Sequence, residues 1–375
     1  MTQNKVHFIL LSLLTLFKVS AFPENVTKGY ANCMACHVAP NGGGILTDYG
    51  RSLSAELMST WKVKKGFEDP YYGLVKNREN LLFGGDLRTI QVHSENDQVK
   101  VSKEFVMQNN LEFAAKYMNA FIVGSVGRQE GPKETPTKGD FLSEKHYLLW
   151  STSEDTTLRA GKFRQHFGIN HSNHTRLNKQ SLGFGSNSET YNLEFMKFYE
   201  WGEVNISTSN GDFFDDDKEL SSSKKNYAFN FTHYLGGQSR LGVSYLMERS
   251  AQFKRKMTNL NAIFSLGGQS VLTHEITYEE KQNVVQSSFE DKTKGLYGDH
   301  NISYKVFKGG RSYLLFEHAQ TNLSDNNTLI TAPGVGFQFL PIPHVELQIE
   351  YQRRKRNGLK GNPEHRSFAV LHLYH

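Results

Sequence analysis

From Leu81 to the C-terminus, apolar and polar residues alternate in short segments that are separated by turn residues. In 344–353, glutamate and glutamine alternate with the apolar residues Val345, Leu347, Ile349 and Tyr351. The segment 272–279 alternates in the same way, with threonine and glutamate at its polar positions. Because successive side chains of a strand point to opposite faces, this period of two predicts strands with one apolar and one polar face.

Sixteen such segments are predicted, near 81–93, 103–117, 119–128, 141–150, 156–166, 187–199, 201–209, 224–235, 238–248, 256–266, 269–281, 294–307, 311–319, 328–339, 344–353 and 365–375. A soluble sandwich also alternates, but these segments are long and carry charge on the polar face in strand after strand. The pattern therefore predicts a mainly β fold, a 16-stranded antiparallel transmembrane barrel over 81–375, with lipid outside and water inside.

The predicted links between these strands are alternately tight and long. The tight links lie at 235–238, 266–269, 308–311 and 340–343, and the long polar links lie at 129–140, 167–186, 210–223, 282–293, 320–327 and 354–364. Bacterial outer-membrane barrels have short periplasmic turns and long outside loops. An even number of strands then puts both ends of the barrel on the periplasmic side.

The N-terminus has the pattern of a secretory signal peptide. Lys5 precedes the apolar run 8–17, and Val19, Ser20 and Ala21 are small residues of the cleavage type. The run is shorter than the roughly 20 residues that a spanning helix needs. We expect a signal peptide at 1–21 and an exported chain that begins at Phe22.

Charge argues against nucleic-acid binding. The net charge of +5 includes Lys5 and Lys18, so the mature chain carries only about +3. The chain is also polar on average, with a mean hydropathy of −0.54. A polar lumen and charged loops explain this value without a nucleic-acid partner.

The segment before the barrel, 22–80, contains Cys33-Met34-Ala35-Cys36-His37, with the only two cysteines of the chain. Two thiols at this spacing can each bond one vinyl group of a haem, and the adjacent histidine then binds the iron as proximal ligand. A redox Cys-x-x-Cys, a zinc site and a structural disulfide are the alternatives. The first lacks a surrounding βαβ unit, and the second lacks further ligands nearby. We predict one covalent haem c in a small head at 22–80.

Further head residues suit a haem. The carbonyl of Pro40 can accept a bond from Nδ1 of His37, which would orient the ring. Three glycines, 42–44, let the backbone approach the haem edge. Arg51 can pair with a propionate, since arginine suits carboxylates, although a surface arginine is the simpler interpretation. Residues 52–61 are predicted to form a short amphipathic helix.

The sixth iron ligand stays open at this stage. Met58 can reach the iron, although it can equally be a packing residue of the short helix. His171 and His174 belong to a histidine-rich run in the longest loop. Either histidine could bind the iron only if that loop folds into the lumen. The alternative is a polar outside loop with ordinary histidines.

The sequence resembles the fused monohaem cytochrome–porins. The resemblance is carried by Cys33–Pro40 and by Leu46-Thr47-Asp48-Tyr49-Gly50-Arg51, followed by a predicted sixteen-stranded porin. That group includes the outer-membrane iron oxidases of iron-oxidising bacteria. The chain departs from those oxidases by the inserted glycines 42–44 and after Arg51.

The resemblance implies electron transfer across the bacterial outer membrane, between an extracellular donor or acceptor, such as iron, and a periplasmic cytochrome or other carrier. The haem would sit on the periplasmic side or in the lumen, with outer-membrane lipid around the barrel. No catalytic residue is needed, so the chain is at most an oxidoreductase of the cytochrome c type. The alternatives are a diffusion porin with a haem-bearing plug or sensor head, and a peroxidase-like haem with an open sixth position.

Covalent attachment can be tested on a denaturing gel. We expect haem to stay with the wild-type polypeptide, because thioether bonds survive unfolding, and Cys36→Ala to weaken or abolish the haem stain. Met34→Ala, which leaves both thiols in place, is the control. An unstained wild-type band from a host that matures c-type haem would contradict the prediction.

Overall fold

The computed structural model of the chain describes residues 33–63, 66, 69–128, 130–131, 138–170, 173, 176–184, 188–211, 225–236, 238–250, 253–285, 288–289, 292–359 and 361–375. The predicted signal peptide lies outside the described residues. Within them, sixteen long antiparallel strands form one sheet, and two strands of two residues each, Phe141–Leu142 and Ser288–Phe289, lie in the long links.

The long strands follow one another around the barrel in chain order. They are β1 (Leu81–Glu95), β2 (Lys100–Tyr117), β3 (Ala120–Arg128), β4 (His146–Ser153), β5 (Thr156–Arg164), β6 (Glu189–Tyr199), β7 (Gly202–Ser209), β8 (Lys225–Leu235), β9 (Ser239–Arg249), β10 (Phe253–Leu266), β11 (Ser270–Val285), β12 (Thr293–Phe307), β13 (Gly310–Gln320), β14 (Leu329–Phe339), β15 (Val345–Arg356) and β16 (Glu364–Tyr374).

The sheet closes because β1 pairs with both β2 and β16. The β1–β16 register runs from Asp86 opposite Tyr374 to Glu95 opposite His365. The predicted 16-stranded closed barrel is therefore confirmed. The segment predicted near 141–150 is interrupted: Phe141–Leu142 and β4 both pair with β3, and between them the amide of Lys145 donates to Oγ of Ser125 (2.9 Å).

The two faces of the barrel wall agree with the sequence pattern. In β15 the exposed side chains include Leu347 (39% exposed) and Ile349 (57%), while Glu350 and Gln352 are buried in the interior. In β11 Glu275 and Thr277 are likewise buried. Outward apolar and inward polar positions are the arrangement of barrels with a polar lumen.

The two rims of the barrel differ in their links. One rim carries tight turns, in which Gly267 and Gly268 have φ of +75° and +80°, a conformation that other residues adopt only with strain. Near this short-turn rim, exposed aromatic side chains include Tyr117, Trp150, Tyr199, Trp201 and Phe307. Aromatic girdles of this kind occur where barrels meet the membrane interface. The opposite, long-loop rim carries the longer links.

The residues before β1 enter the barrel from the short-turn rim. They include the helix α1 (Asp48–Leu53), a π-helical turn (Ser54–Met58) and a 3-10 segment (Pro70–Gly73); later in the chain come the helix α2 (Leu177–Ser181) and a 3-10 turn (Asn326–Thr328). The helix predicted at 52–61 begins earlier than expected. The side chain of Thr47 accepts from the amide of Gly50 (3.1 Å) and so caps a helix that starts at Asp48.

The head is anchored at two levels. At the rim, the amides of Thr60 and Trp61 donate to the carbonyls of Leu340 and Pro341 (2.9 and 2.8 Å). Deeper in the lumen, Val38 and Ile45 pack against inward side chains of β2 to β5, namely Ala114, Val123, Tyr147, Leu149 and Phe163. The head therefore fills part of the lumen. Among the described residues, no helix is long and apolar enough to cross a membrane.

Two neighbouring substitutions in β15 test which side chains face the lipid and which face the lumen. Ile349→Arg should impair membrane insertion, because Ile349 is exposed near the middle of β15 and an arginine costs about 2–4 kcal/mol at the bilayer midplane. Gln348→Arg is the matched control, because Gln348 lines the lumen, where a guanidinium stays in water. Folded barrel is measured by heat-modifiable migration on a gel. Equal losses in both variants would contradict the assignment of the outward face.

Candidate functional site

The cysteine–histidine segment forms a tight turn inside the barrel. The carbonyl of Cys33 accepts from the amides of Cys36 (3.2 Å) and His37 (3.0 Å). The chain then reverses through glycines 42–44, all of which have positive φ, so that the amide of Val38 donates to the carbonyl of Ile45 (3.0 Å). Gly42 lies close to the turn: a Cβ there would be 3.0 Å from Sγ of Cys33.

The residues that follow, Leu46–Arg51, pack against the cysteine–histidine turn and bond to its carbonyls. Thr47 donates from its amide to the carbonyl of Cys36 (2.9 Å) and from Oγ1 to the carbonyl of Ala35 (2.9 Å). A Cβ on Gly50 would lie 2.3 Å from the carbonyl oxygen of Cys36, so only glycine lets α1 pack this closely. Threonine and glycine in the Leu46–Arg51 stretch thus have a direct structural role in positioning the motif.

Both thiols are free, so no disulfide joins them. Burial raises the pKa of Cys33 to about 11 and also raises the pKa of Cys36. A redox Cys-x-x-Cys requires a lowered thiol pKa, which makes this alternative unfavourable here. The described residues contain no group of three or more His, Cys, Asp or Glu side chains with the geometry of a metal site.

His37 is held as a neutral imidazole. Burial lowers its pKa to about 4, and the neutral ring is the form that binds metals. Its Nδ1 is buried and has no hydrogen-bond partner among the described residues. The bond predicted from Nδ1 to the carbonyl of Pro40 is therefore not made. The His37 ring instead bonds to the backbone of Gly44, and the bend at Pro40 closes with the amide of Gly42 on the carbonyl of Ala39 (3.0 Å).

A cavity of about 720 Å³ opens in front of this segment. Its wall includes Cys33, His37, Pro40, Gly42 and Met58. This volume lies within the range of cofactor sites, roughly 300–1,000 Å³. Charged side chains of both signs also line it. The cations are Arg88, Arg128, Lys145, Arg159, Arg164, Arg176, Lys179, Arg240, Lys305, Arg311 and Arg366, and the carboxylates are Asp86, Glu130, Glu144, Glu189, Glu203, Asp299 and Glu346.

Arg51 does not reach this cavity. Its side chain is fully buried against β1, where Nη2 donates to the carbonyl of Phe83 (2.6 Å). The position of Arg51 therefore does not support the predicted contact with a propionate. Because α1 starts at Asp48, the Arg51 side chain points to the barrel wall. Arg240 of β9 is better placed, because it lines the cavity and acts electrostatically on Cys33. No sequence signal distinguished Arg240 from other lumen charges.

The described residues of the long link after β5, 167–170, 173 and 176–184, fold into the lumen, in contrast to the prediction of an outside loop at 167–186. Phe167, Ile169 and Leu177 are buried. Lys179 pairs with Glu275 on the opposite wall (Nζ–Oε1 2.9 Å), and Arg176 lies between Asp299 and Glu350 (3.5 and 3.6 Å). The loop turns inward because these charges find their partners only across the lumen. His171 and His174 lie outside the described residues.

The site therefore brings together one of the two cysteines, the neutral histidine, a glycine-rich bend and several cations around one cavity. Cys36 is half-buried on the same turn, with its carbonyl directed toward α1. The Nδ1 of His37, which has no partner among the described residues, and the open space at Gly43 fit a planar, carboxylate-bearing group such as haem. Cys33, Cys36 and His37 would hold it, and Arg240 is positioned to meet its carboxylates.

Comparison with known proteins identifies the barrel type. The outer membrane channel DcaP of Acinetobacter baumannii is 13% identical, with a TM-score of 0.60, over 80% of this chain and 99% of that one. OprB of Pseudomonas putida is 8% identical with a TM-score of 0.61, over 79% and 94% of the two chains. The anion-selective porin of Comamonas acidovorans is 9% identical with a TM-score of 0.57, over 79% and 99%.

At these identities the likeness shows the fold, a mainly β, sixteen-stranded closed barrel of the bacterial outer-membrane porin type. Neither a protein-family model nor a curated protein sequence matches the chain. The likeness covers about four fifths of the chain, a share similar to that of the barrel itself.

The contact between α1 and the motif can be tested at Gly50. Gly50→Ala should force α1 away from the Cys36 carbonyl, at a cost of about 1–3 kcal/mol for overpacking, and should lower the yield of haem-stained protein. Ser52→Ala, on the exposed face of the same helix, should leave the yield unchanged. Heat-modifiable migration reports barrel folding separately. Wild-type haem yield in Gly50→Ala would mean that this contact does not position the motif.

Proposed function

We propose that the chain is an electron-transfer protein of the bacterial outer membrane, with one haem c bound covalently through Cys33 and Cys36 in the barrel lumen. The observation that carries the proposal is the position of the cysteine–histidine turn, which lies inside the closed barrel and faces a cavity of cofactor size. This function is at most that of an oxidoreductase of the cytochrome c type.

In this proposal, residues of the chain hold the haem, orient it and separate it from lipid. A bound haem c supplies one-electron chemistry. Cys33 and Cys36 would hold it, and neutral His37 would offer a ring nitrogen to its iron. Arg240 would pair with a haem carboxylate, whereas Lys145, Arg159 and Arg164 already pair with Glu112, Glu194 and Glu189. The wall, with its outward apolar face, separates this site from lipid.

The proposed organisation is a signal peptide at 1–21, a haem head at 22–80 and a barrel at 81–375. The short-turn rim, which the head enters, would face the periplasm, as in other outer-membrane barrels. A periplasmic cytochrome or other carrier would exchange electrons there. An extracellular donor or acceptor, such as iron, would act at the long-loop rim, in line with the resemblance to the fused monohaem cytochrome–porins.

A second candidate is a diffusion porin whose haem head serves as a plug or sensor. The comparisons favour this function for the barrel, since the similar structures include an outer membrane channel and an anion-selective porin. Against free diffusion, the head and the inward loop share the same lumen, and Asn170 of the loop donates to the carbonyl of Asn41 of the head (2.9 Å).

Liposomes carrying the purified protein separate the two candidates. Electron transfer predicts that a membrane-impermeant reductant outside the liposome reduces an acceptor trapped inside, and that the Cys36→Ala barrel does so at least tenfold more slowly. Diffusion predicts swelling in small sugars, with no dependence on the redox state of the haem. Swelling at porin rates without electron transfer would overturn the first proposal in favour of the second.

A further inference from the structure

We infer that Nδ1 of His166 is the second axial ligand of the haem iron. The inference rests on the proposed haem function and identifies a residue that the sequence pattern did not single out. His166 follows directly on β5 and begins the inward loop, at a position where its side chain lines the same cavity as Cys33 and His37.

The hydrogen bonds of His166 leave one ring nitrogen ready for a metal. Nε2 lies 3.2 Å from the carbonyl oxygen of Gly168. A carbonyl can only accept, so Nε2 carries the proton and Nδ1 of the neutral ring carries a free lone pair. Nδ1 is buried and has no hydrogen-bond partner among the described residues. Metal-binding histidines commonly donate their second nitrogen to a backbone carbonyl in this way.

The burial of Nδ1 also favours a metal at this position. A buried acceptor that finds no donor is destabilising, and a bound metal would remove this cost.

The backbone around His166 is fixed by the barrel wall. Its carbonyl accepts from Nδ2 of Asn230 (2.9 Å), and the amide of Gly168 donates to Oγ of Ser244 (3.0 Å). The amide of Ile169 donates to Oε1 of Glu275 (3.0 Å). A Cβ on Gly168 would lie only 1.9 Å from that same oxygen, so the segment needs glycine there. Contacts from three different strands thus hold the imidazole in one orientation, as a ligand requires.

His166 is also close to the haem-attachment turn. The charges of Glu203 and Arg240 act on both Cys33 and His166. The inward loop that His166 begins is tied to the head through the Asn170–Asn41 bond, only four residues from His37 along the head. The cysteine–histidine turn and His166 therefore lie near the same two charged side chains, Glu203 and Arg240, and their segments are joined by the Asn170–Asn41 bond.

Other side chains are less suited to this role. Met58 lines the cavity but offers a thioether from the short-turn rim. His372 also lines it, but Nε2 and Nδ1 already face Asp86 (2.8 Å) and Glu346 (2.9 Å). His372 is therefore a matched control: a histidine of the same cavity with both nitrogens engaged.

The test compares His166→Ala, His166→Gln, Met58→Leu and His372→Gln in purified, folded barrels. The ferric protein is examined by electron paramagnetic resonance and near-infrared magnetic circular dichroism. We expect a low-spin wild type with two nitrogen ligands, and a loss of that signal to high spin in both His166 variants. Added imidazole should restore low spin in His166→Ala. Met58→Leu and His372→Gln should keep the wild-type spectrum.

The haem stain on a denaturing gel distinguishes a failure of the proposed haem function from a failure of the His166 assignment. An unstained wild-type band would count against the proposed haem function as a whole. A stained wild type that is high-spin, or that shows histidine–methionine ligation, would overturn the assignment of His166 without any variant. Folded His166 variants that stay low-spin without imidazole would overturn it as well.

Discussion

Closure of the sheet between β1 and β16 is the constraint on which the rest of the molecule depends. A strand inside a bilayer must have every backbone amide and carbonyl paired, so an open edge cannot persist there. Ten residue pairs join these two strands, and the amide and carbonyl of His375 continue the pairing with Gly85 (2.9 and 3.1 Å). The same closure encloses the lumen in which the head and the inward loop lie.

Inside that lumen, charges decide where the loop goes. Lys179 pairs with Glu275 across the interior (2.9 Å), and Arg176 lies between Asp299 and Glu350, with all of these side chains buried. The cost of desolvating such ions largely offsets their attraction, so their contribution to stability is small. Removing one partner is costly, at about 3–5 kcal/mol, because the other charge then stays buried alone. These pairs therefore fix the path of the loop, and with it the orientation of His166.

The head depends on close backbone approach. Its core is small, and much of its apolar surface is buried against the barrel wall by Val38 and Ile45. Gly42 and Gly50 let the attachment turn contact the bend and α1 with no side chain between them. This packing explains how about fifty residues with little regular structure can hold a fixed shape: the barrel supplies the missing core.

The barrel and the cysteine–histidine motif could be predicted from the sequence because each depends on local chemistry. Side chains of a strand alternate by covalent geometry, so the faces at Leu347 and Glu350 and the number of strands were predictable. The spacing of Cys33, Cys36 and His37 likewise carries its chemistry within five residues. The inward loop, the displacement of Arg51 to the wall, and the exposure of Arg240 and His166 to one cavity were not predictable. They depend on which side chains meet across the lumen. Such pairs are as far apart in sequence as Arg176 and Glu350, 174 positions, and they form only once the barrel has closed.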